Sequence, residues 1–309
     1  MARRTSRSKS TTPPKKRPVE PGRSSRKARL AEAERKRRRN RTAAASAIAA
    51  VVVVAAAMVA IAALSDSSGR AKRSGSAGRA ASLVQNVPTS ALDAAGAGKA
   101  RPHALPASTP PLEQDGKPEV LYIGAEYCPY CAAERWPVIV ALSRFGTFQN
   151  LAGTESSASD VFPRTQTFTF HGATYSSDVL AFTGVETNTN QPAPGGGYTS
   201  LEQPTAAERA VFAQFDRPPY STQAQAIPFL MIGNKYVSVG TTYEASVLQG
   251  MSRDQIASAL SDPTSPVGRA VNGAANVLTA AICQATGGKP SSVCADPTIA
   301  NIAQTLPTA

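Results

Sequence analysis

Glu119-Val120-Leu121-Tyr122-Ile123-Gly124, followed closely by Cys128-Pro129-Tyr130-Cys131, decides how this 309-residue chain is read. The first six residues form a short, continuous apolar run that predicts a buried strand. Ala132 to Leu142 predicts a helix. A C-x-x-C pair at such a strand-to-helix junction puts its first sulfur over unpaired backbone N–H groups and the positive helix end. Both favour the thiolate, the form that attacks disulfides. The residues point to thiol chemistry.

Downstream, Ala226-Ile227-Pro228-Phe229-Leu230-Met231-Ile232 and Gly233-Asn234-Lys235-Tyr236-Val237-Ser238-Val239 predict a hairpin. A proline opens an apolar strand, a Gly-Asn turn follows, and a second strand alternates. Proline is tolerated at a strand entrance because its missing N–H need not join the ladder. C-P-Y-C combined with I-P-strand-turn-strand resembles the thioredoxin superfamily, in which a cis-proline lies opposite the active-site cysteines. The resemblance covers roughly 118–262, with gaps. It implies Cys128 as nucleophile, Cys131 as resolving thiol, and Pro129, Tyr130, Ile227 and Pro228 facing the substrate.

The chain departs from that pattern in three places. Cys131 and Pro228 are 97 positions apart, so a segment is inserted between the C-x-x-C helix and the proline strand. Disulfide oxidases of the DsbA type carry a helical insertion there, whereas this one is glycine-rich and partly β-like. Tyr122 stands where thioredoxins have a buried acid, while Glu126 is nearer and reads as exposed. Trp136-Pro137 sets a proline inside the first helix, which predicts a kink. The whole layout resembles a family of membrane-anchored, thioredoxin-like bacterial proteins whose domain has no assigned function.

Charge divides the chain further. The net charge of +12 is +14 over 1–41, +3 over 65–117 and −5 over 118–309. Ala43 to Leu64 is an uncharged run of 22 residues, 12 of them alanine. As a helix it would cross a hydrocarbon core of roughly 30 Å. Arg35 to Arg41 precede it, which places that end in the cytoplasm by the positive-inside rule. A cleaved signal peptide is the rival, on the small-x-small Ala60-Ile61-Ala62, but both the preceding region and the apolar run are long for one. The expected organisation is a disordered basic tail (1–42), a transmembrane helix (43–64), a flexible linker (65–117) and an extracytoplasmic domain (118–309). The tail would lie along anionic lipid; nucleic acid is the less favoured partner, because no aromatics interleave with the charges.

Within the domain, Thr165–Phe170 and Val179–Val185 read as strands, and Gln191–Gly197 as a surface loop. Thr205-Ala-Ala-Glu208 and Ser252-Arg253-Asp254-Gln255 read as helix caps. Residues 266–285 read as an Ala-rich amphipathic helix, the start of a C-terminal helical extension. Strands alternating with helices argue α/β, here a thioredoxin-like sheet with an insertion.

C-P-Y-C could also be a static disulfide or half of a zinc site. Zinc needs four ligands, and Cys283 and Cys294, ten residues apart, lack the short spacing of zinc modules. Outside the membrane those two read as a structural bridge, contributing roughly 3 kcal/mol, or as a second redox pair. No phosphate loop appears, and two histidines leave little material for a hydrolase triad. The expected function is disulfide exchange with extracytoplasmic proteins, with no organic cofactor, no metal, and room for a membrane redox partner. The rival is a thioredoxin-shaped binding module whose cysteines stay bridged.

Overall fold

The structure, a computed structural model, describes residues 78–308 and Arg35. The 43–64 span and nearly all of the basic tail lie outside the described residues. Among those described, no helix is long and apolar enough to cross a membrane.

The elements run as follows. Helices α1 (78–85) and α2 (Thr89–Ala95) lead into β1 (His103–Ala104), β2 (Glu113–Gln114) and β3 (Lys117–Gly124), then α3 (Pro129–Leu142). Seven short strands follow: β4 (Thr147–Gln149), β5 (Ala152–Glu155), β6 (Gln166–Thr169), β7 (Thr174–Ser176), β8 (Ala181–Glu186), β9 (Asn188–Pro192) and β10 (Tyr198–Ser200). After α4 (Ala206–Phe215) come β11 (Phe229–Ile232) and β12 (Tyr236–Val239), then α5 (Arg253–Ala259), α6 (Pro266–Ala285), α7 (Ser291–Cys294) and α8 (Pro297–Thr305).

The central sheet is mixed. Its strand order is β1–β12–β11–β3–β8, with β2 antiparallel to the first residues of β3. β8 is parallel to β3, Glu119 to Gly124 matching Ala181 to Glu186. β11 runs antiparallel to β3, and β12 antiparallel to β11. Alternation sorts β3 between two apolar layers. Val120 and Tyr122 join the larger cluster with α3 and α6, while Leu121 and Ile123 join Val185, Phe215, Phe229 and Met231 on the α4 face. Both faces are covered, which is why β3 and β11 read as unbroken apolar runs.

The caps act as the sequence predicts. Thr205 and Ser252 each close a reciprocal capping box, with Glu208 and Gln255. Ser265 caps the 20-residue α6. Helix α3 runs on through Pro137. Because proline has no N–H to give the carbonyl four residues back, that of Ala133 accepts the Tyr243 hydroxyl at 2.9 Å instead.

The 65–117 spacer is corrected from residue 78 onward. Ala80, Val84, Leu92 and Ala100 are buried in the larger cluster, and Leu105 in the smaller. Asn276 of α6 donates to the Leu92 and Gly96 carbonyls at 2.7 and 2.9 Å. Gly98 lies so close to α6 that a Cβ there would meet Gly273 backbone at 2.5 Å. Asp115 and Gly116, both at positive φ, make the two-residue turn of the β2–β3 hairpin. Small side chains pack this segment closely, so a composition that reads as linker serves here as docking surface.

Candidate functional site

Helix α3 presents its first cysteine at its end. Cys128 is the N-cap, with φ −74° and ψ 121°, and its Sγ accepts from the Cys131 N–H at 3.1 Å. The Cys128 thiol faces the Ile227 carbonyl at 3.9 Å, and the Ile227–Pro228 bond is cis. Cys128 is 6% exposed and Cys131 0%; both are free thiols. A hydrogen bond from the Cys131 thiol, then the backbone N–H and the Arg135 charge, pull the Cys128 thiol below its usual value against the effect of burial. Burial, then the neighbouring Cys128, pushes the Cys131 thiol well up. The outer sulfur is the thiolate-prone one and the inner holds its proton.

Of the other predicted residues, Tyr130 projects outward, Ile227 is half-buried, and Pro129 and Pro228 are buried. Tyr130 and Ile227 are therefore accessible beside the Cys128 sulfur, while the two prolines are covered. Tyr122 is buried, and its hydroxyl donates to the Cys131 carbonyl at 3.4 Å. Gly124 makes room for it: a Cβ there would lie 2.5 Å from the Tyr122 oxygen. Glu126, read as exposed, is half-buried, its N–H donating to the Asn188 carbonyl at 2.9 Å.

Two groups escaped the sequence reading. Arg135, one turn beyond Cys131, and Glu186, at the end of β8, form a wholly buried ion pair. Arg135 Nε donates to Glu186 Oε1 at 2.8 Å and Nη2 to Oε2 at 2.5 Å. The guanidinium also lies 5.9 Å from the Tyr122 ring centre. Burial pushes the Glu186 carboxyl above its usual value, opposed by the Arg135 charge and its hydrogen bonds, while the Glu186 charge outweighs burial and favours the charged guanidinium. Two adjacent charged residues, Glu134 and Arg135, in an otherwise largely apolar helix, with Arg135 at i+4 from Cys131, were the available signal. Glu134 beside it is buried against Thr242, whose N–H and hydroxyl each donate at 2.8 Å. Burial pushes that carboxyl up to about 8.

The rim is aromatic. Tyr127 stacks on Tyr198, ring centres 4.1 Å apart, and Tyr130 meets Phe162 edge-on at 6.1 Å. Phe162 and Arg164 hold positive φ in the β5–β6 loop, which Ser157 anchors by donating its N–H to the Tyr127 carbonyl at 2.8 Å. Among the described residues, Tyr130 and Val161 are the exposed large apolar side chains, at 42% and 47%. Both lie on this rim.

Cys283 and Cys294 form a disulfide joining the end of α6 to α7. Among the described residues no group of three or more His, Cys, Asp or Glu could hold a metal ion.

One family model matches the chain, described as "Domain of unknown function (DUF929)", over residues 105–193. The match takes in β3, the C-P-Y-C turn, α3 and strands β4 to β9, and stops before Ile227-Pro228. No curated protein and no solved structure matches the chain.

Proposed function

We propose that this chain is a thiol–disulfide oxidoreductase with a thioredoxin-like sheet, anchored by 43–64 and acting on extracytoplasmic proteins. One observation carries the reading: Cys128 Sγ caps α3 while a second, fully buried thiol stands behind it. The β8–β3–β11–β12 order, parallel then antiparallel, supports the fold assignment.

In the reductive direction, the Cys128 thiolate attacks one sulfur of a substrate disulfide. That S–S bond breaks, and the departing sulfur keeps the electron pair and takes a proton. Cys131, once deprotonated, attacks Cys128 Sγ, and the second substrate sulfur leaves as a thiol. The substrate is reduced and the Cys128–Cys131 pair oxidised; an oxidase runs the same steps backwards. The Ile227 carbonyl and the Tyr130–Val161–Phe162 rim would hold an extended substrate segment against the sulfur. Anionic lipid would bind the basic tail.

A second reading, a binding module with permanently bridged cysteines, draws on the low exposure of Cys128, 6%. Equilibration of the full-length chain in mild detergent with glutathione buffers separates them. A reversible Cys128–Cys131 couple is expected near the poise of extracytoplasmic compartments. A bond that no glutathione ratio opens would establish the static module.

A further inference from the structure

We propose that Arg135 is the positioning residue of the Cys128–Cys131 pair, bracing the turn that carries Cys128 and supplying a fixed positive charge beneath both sulfurs. The inference rests on the redox reading and names what regulates that site.

The bracing is geometric. Arg135 Nη2 donates to the Ala125 carbonyl at 2.8 Å, and the same oxygen accepts the Cys128 N–H at 3.3 Å. One carbonyl thus links the guanidinium to the backbone of the reactive cysteine. Glu186 orients the guanidinium from the other side, and its Oε1 also accepts the Phe170 N–H at 3.4 Å. The fork is therefore anchored by α3, β8 and the turn together.

One arm is left over. Arg135 Nη1 is buried and has no hydrogen-bond partner, an exception to the rule that buried donors are satisfied. A buried ion pair is weak evidence for stability, and an unmet donor adds a cost. Both lie under the C-P-Y-C turn, where a thiolate would have most use for a cation. The charge acts on both sulfurs, favouring the ionised form of each. The other titratable groups around the pair are Tyr122 on β3, Tyr127 on the turn and Glu186 on β8, with Asp160 of the β5–β6 loop acting on Tyr127 and Glu126 of the turn acting on Glu186. None of these is cationic. Cys131 gains most during turnover, because it must ionise inside the protein to resolve the mixed disulfide.

The test is the pH dependence of Cys128 alkylation by iodoacetamide on the reduced full-length chain, read by mass spectrometry. Arg135→Met combined with Glu186→Leu leaves no charge unpaired, and should move the midpoint upward by about one unit or more. Glu186→Gln alone should move it downward, since the cation loses its counter-charge. Arg135→Lys, which keeps the charge, should stay closer to wild type than the neutral pair. Opposite shifts from two changes in one pocket cannot come from loosened packing. A folded neutral pair that titrates like wild type would overturn the assignment, as would both variants shifting the same way. Should the neutral pair fail to fold, Glu186→Gln decides: a downward shift supports the assignment, and no shift or an upward one removes it. Alkylation needs no turnover. An acidic Cys128 in a chain inert to glutathione would sink the oxidoreductase reading while leaving Arg135 its role.

Discussion

The molecule carries two pairs of cysteines at helix ends, and the ends are opposite. Cys128 and Cys131 open α3, whose N-terminus offers unpaired N–H groups and positive charge, with Arg135 beneath. Cys283 closes α6, where carbonyls and the negative helix end disfavour a thiolate; its own carbonyl accepts the Gly288 N–H at 2.8 Å. Two residues separate the first pair and ten the second. The first pair stands as free thiols against a half-buried backbone carbonyl, and the second is bonded. A pair of cysteines placed at opposite helix ends stands as free thiols in one case and as a covalent link in the other.

The strongest way to break this contrast is to remove one sulfur from each pair. Cys128→Ser should reduce exchange with protein disulfides to background while changing the unfolding midpoint little. Cys131→Ser should accumulate mixed disulfides through Cys128, visible on non-reducing gels. Substantial exchange by Cys128→Ser would move the chemistry elsewhere, Cys283–Cys294 included.

Glu134 tests whether α3 serves chemistry alone. Its carboxyl is held near 8 in the folded chain, against an ordinary 4.5. The folded state therefore binds this proton more tightly than the unfolded one. The resulting stabilisation is full below pH 4.5 and lost as pH rises through about 8, on the order of 5 kcal/mol. Urea midpoints should fall over that window in wild type and flatten in Glu134→Gln. Parallel curves for the two proteins would remove the assignment.

Replacing Cys283 and Cys294 together by serine should cost about 3 kcal/mol of stability in the chain-entropy picture and leave exchange rates unchanged. A loss of exchange in a folded double variant would make the second pair a relay, and the contrast would dissolve. The smallest effect should come from the rim. Tyr130→Ser or Val161→Ser should lower kcat/KM towards an unfolded, disulfide-containing polypeptide about fivefold, roughly 1 kcal/mol. Rates with oxidised glutathione, too small to span the rim, should hold.

Much of the site was legible where function depends on local backbone. The strand before Cys128, the helix after it, the Ile227-Pro228 hairpin and the capping boxes at Thr205 and Ser252 all follow from short patterns, because each is a hydrogen-bonding arrangement of neighbouring residues. Asp115-Gly116 was a further such signal, hidden by the linker-like composition around it. Of the paired strands β4–β7 and β5–β6, only β6 was read from local alternation, at Thr165–Phe170; the other three are short with few apolar residues, and only pairing across the sequence defines them.

By itself the sequence determined the C-P-Y-C turn, its place at a strand-to-helix junction and the length of α6. Tertiary structure decided what surrounds the sulfurs. Arg135 and Glu186 are 51 residues apart, and Cys128 and Ile227 are 99. Local pattern carries no term for such meetings. They arise because β8 and β11 flank β3 on opposite sides, delivering Glu186 and Ile227 to the ends nearest the turn. A thiol's acidity depends on charge and burial within a few ångströms in space, so the sequence places the thiol at the helix end and the fold sets its acidity.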